Sequence, residues 1–395
     1  MKKILLFCIE NINNAGDEIL GVTTEWLVHK CCHCITVREQ LIPNLKTLPF
    51  FQRLPGLLWR PIKSFNFRTG LYRIGAIYNL SYIIEYHLYF NSKIKNVDSI
   101  ILPIGMLKFT TQELSYFFDL ITKIADKRNI PVIMSAMSIA KPDNDDWRYH
   151  QLVRAINRQS VKMITTRDGS DGLTLLKAAY IRNRNIVNDY VGDPALWIPE
   201  VYGFPSKKEK HGKKFIGINL IRKNIYTDYK EQIFSSEQLI SLYKDIIEEV
   251  EKRGYDWELF CNGMHEDYIV GQELLKELRL PKEKLINVPK DGLELVKIIS
   301  KYDGVFGARL HACITSVALG VPVAGLLWDK KLHYFSKTMG IRKFFSEGDE
   351  LRAHIIVDKL ESVMSFNFDY SKRDLYKQKT LSLLNRILKE CNEII

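Results

Sequence analysis

Arg309 and His311 stand two residues apart, between the apolar run Gly304–Phe306 and the small-residue run from 312 to 319. An arginine grips a carboxylate or phosphate through a planar fork of N–H groups, and a histidine can carry a proton near neutral pH. Lys331 follows a second apolar run, 321–327, by way of Trp328, Asp329 and Lys330. Two cations and a titratable ring at neighbouring chain turns suit the binding of an anion together with a proton transfer. The same residue types also fit a solvated loop and an ordinary helix start, so the elements around them must decide.

Those elements are legible. Gly304–Phe306 reads as a short buried strand, Gly307 allows a tight turn that carries Arg309 and His311, and 312–319 is a helix of small residues that lets backbone approach closely. Gly320 ends that helix and Pro322 prevents its continuation. Two strand ends then deliver polar side chains to one sheet edge, and open α/β sheets bind ligands outside the carboxyl ends of their strands. Asn219 and Arg222 follow an apolar run beginning at Phe215, and His265 to Asp267 follow another at 257–261, so these also belong to the Arg309 edge.

Apolar strands and amphipathic helices alternate through most of the chain, which predicts doubly wound architecture in two series. In the first, strands are expected over 3–9, 99–104, 131–137 and 161–165, the last closed by Arg167 and Asp168, with helices from about Asp17, over 111–128, 147–159 and after Asp168 to about Tyr180. In the second, strands are expected over 215–220, 257–261, 284–288, 304–306 and 321–327, with helices over 236–253, 266–280, 292–301 and 312–319. Helices near 349–364 and from Tyr370 onward close the chain. Pro199 to Lys214, with its prolines, glycine and charge run, reads as the linker, giving domains over 1–198 and 215–345 and C-terminal helices over 346–395.

The 395 residues suit two domains, 46% apolar and 26% charged, and the net charge of +11 points to anionic partners. No nucleic-acid-binding motif is present. Residues 40–84 are set apart: they carry six cations, Lys46, Arg53, Arg60, Lys63, Arg68 and Arg73, no acidic residue, and interleaved aromatics. Such an insertion fits an anionic membrane surface, or a lid or subunit contact whose rings pack inward. No apolar run is long enough to span a bilayer, and the start reads as a first strand, not a signal peptide, so the expected location is cytoplasmic, with peripheral contact at the inner membrane face as an option. Seven scattered cysteines argue against a disulfide framework. The Cys31-Cys32-His33-Cys34 cluster lacks a second ligand pair nearby, and Asp143 to Asp146 fits turn chemistry better than a metal-binding acidic pair, so no metal is expected.

The R-x-H turn, the small-residue helix, the Gly320-Val321-Pro322 strand start, and Asp329 and Lys331 followed by Phe335 and Gly340 resemble the polysaccharide pyruvyltransferase family. The resemblance extends to Asn14, Gly16 and Asp17, to Arg167 and Asp168, to Asp193-Pro194 and to Gly217-Ile218-Asn219. It implies two Rossmann-like domains facing a cleft, of GT-B type, with C-terminal helices returning to the first. It also implies transfer of the pyruvyl group of phosphoenolpyruvate to two hydroxyls of a sugar in a cell-surface glycan or its lipid-linked precursor, with no cofactor beyond that co-substrate. Carried over residue by residue, Arg309 and His311 are catalytic, Arg309, Lys331, Asn219 and Arg167 hold the donor, and Asn14, Gly16, Asp17 and Gly105 line the acceptor side. Where the family shows paired glycines, this chain has Gly105 alone. Two other readings stay open: a nucleotide-sugar glycosyltransferase of the same architecture, and a non-catalytic glycan- or membrane-binding protein.

Overall fold

The apolar runs become parallel strands in two separate sheets. The computed structural model describes residues 1–9, 14–42, 86–110, 114–204, 214–226, 234–366 and 368–393. The basic aromatic insertion expected at 40–84 falls, from residue 43 on, outside the described residues, as does 205–213 of the expected linker.

By contacts the chain forms two units: Met1–Ile9, Val28–Tyr190 and Leu383–Ile395 in one, Glu10–Leu27 and Val191–Ser382 in the other. The first holds a seven-stranded sheet built from β1 (Lys2–Cys8), β2 (Cys34–Gln40), β3 (Ser99–Leu102), β4 (Met106–Leu107), β5 (Val132–Ile139), β6 (Val161–Thr166) and β7 (Val187–Tyr190). Its order is β2-β1-β3-β5-β6-β7, with β4 beside β5, and every pairing is parallel. Helix α1 (Ala15–Cys31) follows β1, α2 (Leu114–Lys127) lies between β4 and β5 in sequence, α3 (Trp147–Ile156) leads to β6, and α4 (Gly169–Leu175) runs into a π-helical turn, Leu176–Tyr180. Strand β5 is buried at all eight positions, as expected of a parallel strand covered on both faces.

The second unit's sheet has the order β12-β11-β10-β8-β9, again all parallel. The short α5 (Ile198–Tyr202) precedes β8 (Phe215–Asn219), and α6 (Ser236–Lys252) links it to β9 (Asp256–Phe260). Then come α7 (His265–Glu277), α8 (Gly292–Ile299), β10 (Gly304–Gly307), α9 (Leu310–Leu319), β11 (Val323–Leu326), α10 (Lys330–Thr338) and β12 (Phe345–Ser346). Helices α11 (Ala353–Ser365) and α12 (Tyr370–Glu393) end the chain. Ser235 caps α6 through a reciprocal capping box with Gln238, and Gly320 ends α9 in the left-handed conformation at φ 73°.

Four expectations are corrected. The boundary between units falls after Tyr190, because Pro194–Trp197 and α5 pack on α9. Residues 14–27 group with the second unit, since Ala15 and Ile19 enter its core and Glu18 accepts a hydrogen bond from Gly292 N at 3.3 Å. Helix α11 packs on α6 and β11 of the second unit, so only Leu383 onward joins the first. The strand expected at 284–288 is a 3-10 turn, Lys282–Lys284, plus a single bridge between Leu259 and Leu285, in a stretch bounded by Pro281 and Pro289 that lack the N–H groups a ladder needs.

Candidate active site

In the second unit, β8, β9, β10 and β11 end side by side, with Ile218 opposite Phe306 and Gly307 opposite Gly325. The loop after β10 is the centre of this edge. Gly307 lies against α9 so closely that an added Cβ would come within 2.5 Å of Cys313 Sγ, which is why small residues are needed on both sides. Arg309 is the N-cap residue of α9, extended at φ −103°, and His311 is in the helix's first turn, not on a free turn as expected.

Asn219 fixes this loop from below. It is fully buried, and its Oδ1 accepts hydrogen bonds from Arg309 N at 2.9 Å and Ala308 N at 3.3 Å. Its Nδ2 donates to Asn262 Oδ1 at 3.0 Å. Trp328 Nε1 donates to Ala308 O at 2.5 Å from the next strand end. Asn219, expected to hold the donor, is seen here supporting the backbone of Ala308 and Arg309.

Arg309 is held as firmly. Its Nε donates to Asp267 Oδ2 at 2.8 Å and its Nη2 to Asp267 Oδ1 at 2.5 Å, a bidentate pair, and Trp328 flanks the guanidinium with its ring centroid 5.9 Å from Cζ. Asp267, in the first turn of α7, is fully buried and its Oδ1 also accepts from Arg222 N at 2.8 Å. Burial pushes the Asp267 carboxyl above the usual carboxylate range, against the opposing pull of Arg309 and Arg222. All three contacts nonetheless bring N–H donors to its two oxygens, which suits the ionised form. With Nε and Nη2 committed to Asp267, Nη1 is the edge of Arg309 that an anion would meet.

His311 is 8% exposed and lies against Gly16 of α1. A Cβ at Gly16 would sit 2.2 Å from His311 Nδ1 and 2.4 Å from Cγ, so glycine here makes room for the imidazole. Beside it, Asn14 Oδ1 accepts from Gly16 N at 3.2 Å while Asn14 Nδ2 donates to Asp17 Oδ2 at 2.8 Å. Ala15 N donates to Asn262 O at 2.9 Å, which ties the start of α1 to the same network as Asn219. Lys331 stands in the first turn of α10, its N–H donating to Asp329 Oδ1 at 3.0 Å and its Nζ 4.0 Å from Asp329 Oδ2.

The structure therefore brings Asn14, Gly16, Asp17, Asn219, Arg309, His311 and Lys331 into one unit. Gly105 and Arg167 are in the other. There Gly105, with φ 64°, directs its carbonyl to Ser138 N at 3.1 Å and to Arg167 Nη2 at 3.0 Å. The next residue, Asp168, is buried, and its Oδ2 accepts from Ile139 N at 2.7 Å and Ser138 Oγ at 3.0 Å. Among the described residues no group of three or more His, Cys, Asp or Glu could hold a metal ion. All seven cysteines are thiols, with Cys32 Sγ 3.4 Å from Cys34 Sγ.

Residues 43–330 match the polysaccharide pyruvyl transferase family. The chain belongs to that family. The matched range of the polysaccharide pyruvyl transferase model includes Gly105, Arg167, Asn219, Asp267, Arg309 and His311, whereas Asn14, Gly16 and Asp17 precede it and Lys331 lies just beyond. Comparison with individual curated proteins gives no significant match. Among solved structures, UDP-GlcNAc 2-epimerase from Neisseria meningitidis is similar at 12% identity, TM-score 0.55, with all of both chains covered. The UDP-GlcNAc 2-epimerase from Methanocaldococcus jannaschii is similar at 11% identity and TM-score 0.56, over 99% of this chain and 100% of that one. A ugt transferase from Siraitia grosvenorii follows at 11% and TM-score 0.50, over 99% and 100%. At such identities these likenesses concern the fold, which is the two-domain α/β fold of GT-B type. No helix among the described residues is long and apolar enough to cross a membrane.

Sequence reasoning singled out the family member's Arg309 and His311 but missed what holds them. Asp267 reads as one of two acids at a helix start, and Asn262 as a turn residue. Only their burial distinguishes them, and burial is set by the packing of α7 and α1 against the sheet edge.

Proposed function

We propose that this polysaccharide pyruvyl transferase moves the pyruvyl group of phosphoenolpyruvate onto two hydroxyls of a sugar in a glycan or lipid-linked glycan, forming a cyclic ketal and releasing phosphate. The observation that carries the reading is the family match over residues 43–330, which contains Arg309 and His311 at one strand end. In the scheme a proton adds to the donor's methylene carbon, leaving an oxocarbenium-like centre at C2. One sugar oxygen bonds to C2 and gives up its proton. The bond from C2 to the phosphate oxygen then breaks, phosphate departs with the electron pair, and the second sugar oxygen closes the ring as it loses its proton.

His311 is the group suited to carry one of these protons, a contribution of roughly a hundred- to ten-thousandfold. Arg309, through Nη1, and Lys331 suit the donor's phosphate and carboxylate, each charge-assisted hydrogen bond contributing on the order of 1.5 to 3 kcal/mol. The scheme calls for no cofactor beyond phosphoenolpyruvate as co-substrate. The test is phosphate release from phosphoenolpyruvate in the presence of pooled bacterial glycans, with acceptor omitted as the blank. Acceptor-dependent release is expected. Turnover of a nucleotide sugar with none of phosphoenolpyruvate would overturn the reading.

A further inference from the structure

We infer that Asp267 is a positioning residue for donor binding: it orients the Arg309 guanidinium so that one defined edge is presented to the anionic donor. The inference rests on the donor assignment above and adds to it a residue that itself touches no substrate.

The geometry leaves Arg309 little freedom. Its backbone N–H is taken by Asn219, its Nε and Nη2 by the two oxygens of Asp267 at 2.8 and 2.5 Å, and Trp328 lies alongside. The Arg309 side chain is 15% exposed and that of Asp267 not at all, so solvent does not compete for the pair. Asp267 is in turn fixed by Arg222 N at 2.8 Å. A long, flexible arginine would otherwise lose its rotamer freedom on meeting a ligand, whereas here that loss has occurred on folding. A bidentate match also sets the plane of the fork, which a single charge contact would not.

Two roles for a carboxylate beside an anion-binding arginine predict opposite signs. If Asp267 merely offsets the charge of Arg309, its removal leaves a stronger positive site and the donor binds more tightly. If it positions the fork, removal weakens binding in spite of the added positive charge. We expect the second.

The experiment is calorimetric binding of phosphoenolpyruvate to the full chain, with Asp267→Asn, Arg309→Lys and the double variant, each checked for native circular dichroism. The Kd should rise at least about tenfold in Asp267→Asn. The double variant should be no more than about threefold weaker than the weaker single, because residues acting as one unit are not additive. Unchanged or tighter binding in Asp267→Asn, or independent losses in the double variant, would overturn the inference. Should Asp267→Asn not fold, Asp267→Glu keeps the charge and displaces the fork by one methylene. A Kd raised at least threefold with native melting supports the positioning role, and an unchanged Kd refutes it. Absence of phosphoenolpyruvate binding to the unaltered protein would instead refute the donor assignment on which the inference rests.

Discussion

Each sheet buries an aspartate at its carboxyl edge, yet the two are put to different use. Asp267 in the five-stranded sheet's unit receives a guanidinium through both oxygens, whereas Asp168 in the seven-stranded sheet's unit receives a backbone N–H and a serine hydroxyl through one. Arg167, the chain neighbour of Asp168, directs Nη2 to Gly105 O. Asp267 finds its arginine 42 positions away. Charges distant in sequence thus meet where the fold brings their strand ends together.

Under the proposed function chemistry belongs to one edge and loop support to the other, a division that can be broken most forcefully at His311. His311→Ala is expected to lower acceptor-dependent phosphate release by about a hundred- to ten-thousandfold, with phosphoenolpyruvate affinity nearly intact. Arg167→Ala run in parallel should fall far short of that loss. Equal losses would erase the distinction between the edges. The next effect in size concerns Gly16→Ala. Its methyl group must displace the imidazole, so turnover should fall at least tenfold and stability by about 1 to 3 kcal/mol, read by phosphate release and urea unfolding. Unaltered activity would mean that the ring's position does not matter. The smallest effect is expected from Asp168→Ala, which strands the buried N–H of Ile139 and should lower stability by about 1 to 3 kcal/mol while leaving the Kd for phosphoenolpyruvate within about twofold. A Kd raised as far as in Asp267→Asn would show the two carboxylates to be equivalent after all.

Much of the fold could be read from the chain because parallel strands buried on both faces are runs of apolar residues. Val132–Ile139 and Val323–Leu326 announce themselves in this way. Val187–Tyr190 does not: it is an edge strand, half-buried at every position, and its Val-Asn-Asp-Tyr sequence lacks any apolar run. Phe345–Ser346 is too short to carry a pattern. The same logic holds for the site. Arg309 and His311 stand out because a cation and an imidazole interrupt an apolar, small-residue context. Asn219 and Asp267 are ordinary residues at ordinary places, and their roles come from burial that arises only when β8, α7 and β10 are side by side. Asn14 and Gly16 stand out only through the family resemblance, and nothing local reveals that they pack with residues of the chain's second half.

That grouping bears on how the protein is made. The helix carrying Gly16 is synthesised well ahead of the core that receives Ala15 and Ile19, which is drawn from residues 195 to 363. During synthesis, domains generally fold as units in the order in which they are produced. Here the helix must remain without these apolar partners until the later segment has been produced, and Gly16 meets the imidazole of His311 only then. A ribosome-bound fragment ending near Tyr190 should accordingly leave residues 15–27 open to protease, and release of the full chain should close them.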